Sequence, residues 1–279
     1  MIASPPLDNS SVSTDLRQAA LYWLAETRIE NKRAGVAAMA QDWSSGRMRL
    51  DASAVILPTE LLIPGRPALP KLISPLEVKH RSMHTPEGRA AMIHALAHIE
   101  FNAINLALDV IWRFPDMPRD YYHDWTRVAA EEALHFSLLA AHLQSLGYCY
   151  GDFAAHNGMW EMAEQTQEDI LARIALVPRT LEARGLDVSP AMRSKLAQAG
   201  DTAAAKILDI ILRDEIGHVA IGNRWYNWLC TARGLEPIAA YKALATQYNA
   251  PRLRGPFNRA ARLQAGFTEM ELDVLAASL

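Results

Sequence analysis

Cysteine is almost absent: the 279 residues contain two, Cys149 and Cys230, far apart and in no Cys-x-x-Cys pair. They can build neither a disulfide framework nor a zinc–thiolate site, so a reducing compartment, the cytoplasm, is expected. An excess of basic charge is lacking too. Asp plus Glu number 31 against 28 for Lys plus Arg, a net charge of −3. That balance argues against a chain built mainly to coat nucleic acid or an anionic membrane. The opening MIASPPLDNSSVSTD has no basic start and no apolar stretch, so no secretory signal is expected, and the first 15 residues read as disordered. No unbroken apolar run reaches about 18 residues, which predicts no membrane span. Alternating, β-branched segments are scarce, so strands are not expected.

What is present is helical periodicity. Half of the residues are hydrophobic, enough for a sizeable core. A first helix is expected from about Asp15 to Trp43, with Thr14 as its N-cap. Residues 44–85 include LPTELLIPGRPALPKLISP, which must be extended or turn-like because each proline removes a helix donor and restricts its predecessor. Residues 1–85 thus read as an N-terminal helix followed by a segment wrapped over the main domain. Residues 86–234 read as four helices. The first starts at Thr85 and Pro86 and runs to about Arg113; the second runs from about Pro118 to Gly147. The third runs from Asp169 to about Arg184, stopping at Gly185, and the fourth runs from Gly200–Asp201 to Gly234. The long connection at 147–168, with room for a short helix around Trp160, makes the expected fold all-α and ferritin-like: a four-helix bundle with its crossover between the second and third helices. Residues 235–279 read as a C-terminal helical, arginine-rich tail packed on the bundle.

Three glutamates sit where only apolar residues belong. The helical neighbours of Glu100 are Ile93, Leu96, Ala97, Ala103, Ile104, Ala107 and Ile111. Glu132 shares its stripe with Trp125, Val128, Ala129, Phe136, Leu139 and Leu143, and its one polar companion is His135. Glu215 is flanked by Leu208, Ile211, Leu212, Val219 and Tyr226, with His218 as its polar companion. Burying an unpaired carboxylate costs several kcal/mol, and no lysine lies on these stripes, so a metal ion is the expected counter-charge. The spacing sharpens this. Glu132–His135 and Glu215–His218 are both Glu-x-x-His, one turn apart on one face. Glu100 precedes the first by 32 residues and Glu182 precedes the second by 33. The metal-ligand set read from this pattern is Glu100, Glu132, His135, Glu182, Glu215 and His218, six ligands for two metals. A metal-free polar network is the plain alternative. Glu182 lies between Pro178 and Gly185 and could instead be an exposed residue near a helix end. Glu164 or Glu168 would then serve as the fourth carboxylate.

Other residues carry weaker signals. Asp214 could accept a hydrogen bond from a ligand imidazole and fix its tautomer. Arg179, one turn from Glu182, could hold an anionic substrate. His94 and His98 lie off the Glu100 stripe and read as surface or packing residues. Tyr121, Trp125 and Tyr226 read as core. Arg252, Arg254, Arg259 and Arg262 could bind a phosphate or carboxylate, or simply pair with acidic side chains of the bundle.

The segments AHIEFNAINLALD, VAAEEALHFSLL, VPRTLEARGLD and RDEIGHVAIGNRW resemble the ferritin-like di-iron carboxylate superfamily, and within it a bacterial branch of uncharacterised proteins. LEARG around Glu182 is also similar to the third-helix ligand segment of the tRNA-hydroxylase branch. The resemblance implies the fold and a two-metal site, but no substrate. Carboxylate-rich ligation with two imidazoles and no thiolate suits iron, with manganese as the alternative. Glu132 and Glu215 would bridge, and Glu100, Glu182 and the two histidines would be terminal. The expected function is an O2-activating oxidase or oxygenase acting on a small organic substrate, with an electron donor and a second copy of the chain, in a homodimer, as further expected partners. The extra residues on both sides of the bundle favour this over the alternative, a ferroxidase or other iron-handling protein. A tRNA-modifying hydroxylase ranks lower, because only the tail is basic.

Overall fold

The computed structural model describes residues 12–57, 62–79 and 81–277. The expectation of disorder for the first 15 residues falls, up to residue 11, outside the described residues. The chain is all-α: among the described residues there is no strand, only two isolated parallel bridges, Asp15 with Arg49 and Leu72 with Ala155. It divides into two compact units, Met1–His156 and Asn157–Leu279.

In the first unit the expected opening helix is two helices, α1 (Leu16–Ala25) and α2 (Ile29–Ser44). Asp15 rather than Thr14 is the N-cap, and its carboxylate accepts from the Arg17 and Gln18 amides at 3.0 and 3.2 Å. The break follows from Glu26. Its buried carboxylate accepts from the Arg28 amide at 2.8 Å and pairs with the Arg28 guanidinium at 2.7 Å, satisfying locally what a continuing helix would otherwise satisfy. The two helices then fold into a hairpin tight enough to require glycine at Gly35, where a Cβ would lie 2.3 Å from the Trp23 ring.

Among the described residues of 45–85 the only helical element is a 3-10 turn at Pro75–Glu77, and buried cations hold this segment down. Arg17 donates to the carbonyls of Ala52, Ala54 and Trp112 at 3.0, 2.7 and 2.8 Å. Lys32 Nζ donates to the Leu24 and Gly65 carbonyls at 3.2 and 2.8 Å and to Asn105 Oδ1. Burial, with repulsion from Arg66, pushes the Lys32 ammonium down to about 7.

Helices α3 (Pro86–Arg113) and α4 (Arg119–Ser145) pair with each other; α1 packs on α3 and α2 on α4. Although it has no unbroken apolar run, α3 is long and apolar enough to cross a membrane; 78% of its most apolar window is buried inside the protein.

The second unit opens with α5 (Gly158–Gln165), at the place expected for a short helix around Trp160. Next, α6 (Ile170–Leu176) starts at Asp169, whose carboxylate accepts from the Leu171 amide at 3.0 Å. The third helix was expected to stop at Gly185 and does not. It passes through a π-helical turn, Val177–Glu182, and continues as α7 (Ala183–Gln198). Gly185 lacks the positive φ that Gly147, Gly200 and Gly234 adopt as helix terminators. Both prolines are accommodated. Pro178 falls in the wider turn, where Thr180 Oγ1 donates to the Ala175 carbonyl at 2.8 Å. Pro190 deprives the Leu186 carbonyl of a helical donor, and Asn258 Nδ2 takes its place at 3.1 Å.

After α8 (Thr202–Ala232) the described residues of the tail hold three helices: α9 (Pro237–Gln247), α10 (Arg259–Gln264) and α11 (Glu269–Ala277). The core of this unit joins Ala183 and Leu186 of α7 and Val219 of α8 to Ala261, Ala265, Phe267 and Leu272 of the tail.

Candidate metal centre

Helix geometry places the first group of candidate ligands. Thr85 accepts from the Gly88 amide at 3.0 Å and Pro86 occupies the first helical position, which fixes the start of α3. Tyr121 and Tyr122 then tie the start of α4 to the end of α3, donating to the Val110 and Phe114 carbonyls at 3.1 and 3.0 Å. With both ends anchored, Glu100 of α3 faces Glu132 and His135 of α4. His135 Nδ1 lies 3.3 Å from Glu100 Oε2 and 3.4 Å from Glu132 Oε2. Side-chain exposure is 5% for Glu100, 1% for Glu132 and 0% for His135. One ligand atom from each of the three lies within 4.8 Å of the others. Burial alone would lower the His135 imidazole, but the Glu100 and Glu132 carboxylates outweigh it and push it up to about 11. Two sequestered carboxylates favour positive charge in that pocket, which a bound metal ion could supply.

The second unit carries the other Glu-x-x-His. On α8, His218 is fully buried and its Nδ1 lies 3.6 Å from Glu215 Oε1; the Glu215 side chain is 12% exposed. Glu182 closes the π-helical turn and is partly buried. That turn packs on α8 where Gly222 leaves room: a Cβ there would lie 3.0 Å from Pro178 Cβ. Asp214 is gripped by the neighbouring Arg213 guanidinium at 2.8 Å.

Arg179 is buried, but among residues of the C-terminal tail. Its Nε donates to Asn223 Oδ1 at 2.7 Å, its Nη2 pairs with Glu271, and its guanidinium lies over the Tyr226, Tyr241 and Phe267 rings. Of the proposed substitutes for Glu182, Glu164 accepts from Trp160 Nε1 at 2.8 Å and Glu168 lies in the turn before α6.

His94 and His98 are packing residues, not surface ones. His94 Nε2 accepts from the Gly151 amide at 2.9 Å, and His98 Nδ1 pairs with the Tyr150 hydroxyl at 2.8 Å; burial pushes both imidazoles down to about 4. Of the tail arginines, Arg259 pairs with Glu269 and Asp273, and Arg262 with Asp187. Two polar residues of this neighbourhood escape a reading by ligand spacing. Asn223 was legible as a polar residue two turns beyond Glu215. Glu271 carries no signal of its own.

A family model described as "Protein of unknown function (DUF455)" matches residues 25–273, nearly the whole chain and all six candidate ligands. The chain belongs to the DUF455 family. A protein of Haemophilus influenzae described as "Uncharacterized protein" is 54% identical over 214 residues, covering 74% of this chain and 74% of its own. No solved structure matches. What DUF455 membership adds is therefore kinship without a reaction, and the chemistry must be read from the side chains. Buried glutamates with an imidazole and no thiolate could hold a metal ion.

Proposed function

We propose that this DUF455 protein is a ferritin-like di-metal oxidase or oxygenase that binds two iron ions, or manganese in their place, and uses O2 to oxidise a small organic substrate. The observation that carries the reading is the buried group of Glu100, Glu132 and His135, two carboxylates and an imidazole that a bound cation would balance. The recurrence of Glu-x-x-His at Glu215 and His218, and the resemblance of the four ligand-bearing segments to the di-iron carboxylate superfamily, extend it to a pair of metals. In this reading α3, α4, the α6–α7 helix and α8 form the bundle, and Glu182 completes the ligand set.

When bound, a pair of ferrous ions supplies the electrons that reduce O2. The chain's own residues do the rest. The six side chains hold the ions, and the apolar layers around Glu100 and Glu132, among them Ile93, Ile104, Phe136 and Leu139, exclude water.

The test is metal analysis of protein expressed with ample iron, with a spectrum of the oxidised form and a measurement of O2 uptake. Two metals per chain, and O2 consumption without mineral iron, are expected. Glu132→Ala combined with His135→Ala should abolish stoichiometric metal binding while the helical circular dichroism persists; unchanged occupancy refutes the assignment. Uptake of many irons per chain would replace the enzyme with an iron-storage reading.

A further inference from the structure

The second unit encloses a cavity between the π-helical turn and helices α9, α10 and α11. Its volume is about 530 Å³, open mouth included. The walls are apolar and aromatic: Ile238, Tyr241, Leu253, Phe267, Val274 and Leu275. Four charged residues interrupt them, Arg179, Lys242, Arg262 and Glu271.

The charges do not cancel. Arg179 pairs with Glu271, and Arg262 is held by Asp187 through Nε and Nη2 at 2.9 and 2.8 Å. Lys242, exposed on α9, forms no salt bridge among the described residues, although the Glu236 carboxylate lies within its electrostatic reach; in the lining itself three cations face one carboxylate. Arg262 is 0% exposed, yet its Nη1 has no hydrogen-bond partner among the described residues. A buried donor left unpaired is costly, and a ligand acceptor placed there would remove the cost.

We propose that this cavity binds a small monocarboxylate with an apolar body. The carboxylate sits at Arg262 Nη1 and Lys242, and the body lies along Tyr241, Phe267 and the aliphatic wall. Three cations against one carboxylate in the lining favour an anion, and Glu271 in the wall disfavours a dianion such as a phosphate monoester. None of the lining residues is a candidate metal ligand, so the inference stands apart from the metal reading.

Calorimetric titration of the full chain tests it, with octanoate, its neutral analogue octanamide, and octyl phosphate as probes. Saturable binding of octanoate at one site per chain is expected, at least about tenfold tighter than octanamide and tighter than octyl phosphate, with the same affinity before and after metal loading. Lys242→Ala, at an exposed position, should weaken octanoate about fivefold, whereas the control Lys206→Ala should not. Leu275→Trp, which fills the cavity, should abolish binding with the circular dichroism spectrum unchanged. The proposal is overturned by absent or non-saturable octanoate binding, by octanamide or octyl phosphate binding as tightly, or by full affinity in either Lys242→Ala or a folded Leu275→Trp.

Discussion

The two Glu-x-x-His segments sit in surroundings of opposite character. In the first unit, Glu100, Glu132 and His135 project from α3 and α4, two long uninterrupted helices whose adjoining ends are fastened by Tyr121 and Tyr122. In the second, Glu215 and His218 lie on an equally regular helix, α8, but the element that carries Glu182 changes from α to π geometry at Val177 and back again at Ala183. Regular helices fix a ligand's position through packing. A π turn gives its carboxylate looser support, and such turns are common at functional sites. One group of candidate ligands thus rests on regular helices throughout, and the other has a carboxylate carried by an irregular turn.

That difference should appear first in metal affinity. Glu100→Ala should weaken metal binding about 100-fold and Glu182→Ala only about tenfold, read by competition with a chromophoric chelator. Equal losses would erase the distinction.

Stability offers a second comparison, between the two glycine contacts. Gly35→Ala drives a Cβ into the Trp23 ring and should cost about 3 kcal/mol in urea unfolding. Gly222→Ala meets Pro178 at 3.0 Å, where the π turn can give way, and should cost about 1 kcal/mol. A larger loss at Gly222 would show the turn to be rigid.

The smallest effect concerns buried cations. The second unit uses arginine, Arg173 and Arg262, whereas the first also uses a lysine. Lys32 is held near 7 when folded, below the usual 10.5, so above pH 7 the unfolded chain binds more protons than the folded one. Stability therefore rises with pH across that window and is lost as pH falls towards 7, by about 1 kcal/mol between pH 8 and pH 7. Lys32→Met should flatten that slope; an unchanged slope would assign it to another group.

Much of this was legible because a polar residue in an apolar helical stripe is conspicuous. The burial of Glu100, Glu132 and His135 follows from that pattern alone, and proline and glycine mark the ends of α3 and α8. What was illegible depends on contacts that periodicity does not encode. Glu26 breaks the first helix by pairing with Arg28, although glutamate in that position reads as a good helix former. Gly185 reads as a terminator, yet the helix continues through it and past Pro190, where the remote side chain of Asn258 bonds the carbonyl that the proline leaves without a donor. Arg179 looked like a neighbour of Glu182, but its partner Glu271 lies far along the chain, in a segment whose own pattern announces nothing.

The π-helical turn also has a consequence for how this helix tolerates change. It amounts to one residue inserted into an α-helix, so everything beyond Glu182 is rotated by about 100° relative to an unbroken helix beginning at Ile170. Removing a single residue from the turn would restore a regular ladder of hydrogen bonds and swing Leu186 and its neighbours out of phase with the core. A change that makes the helix more regular would thus spoil what it serves.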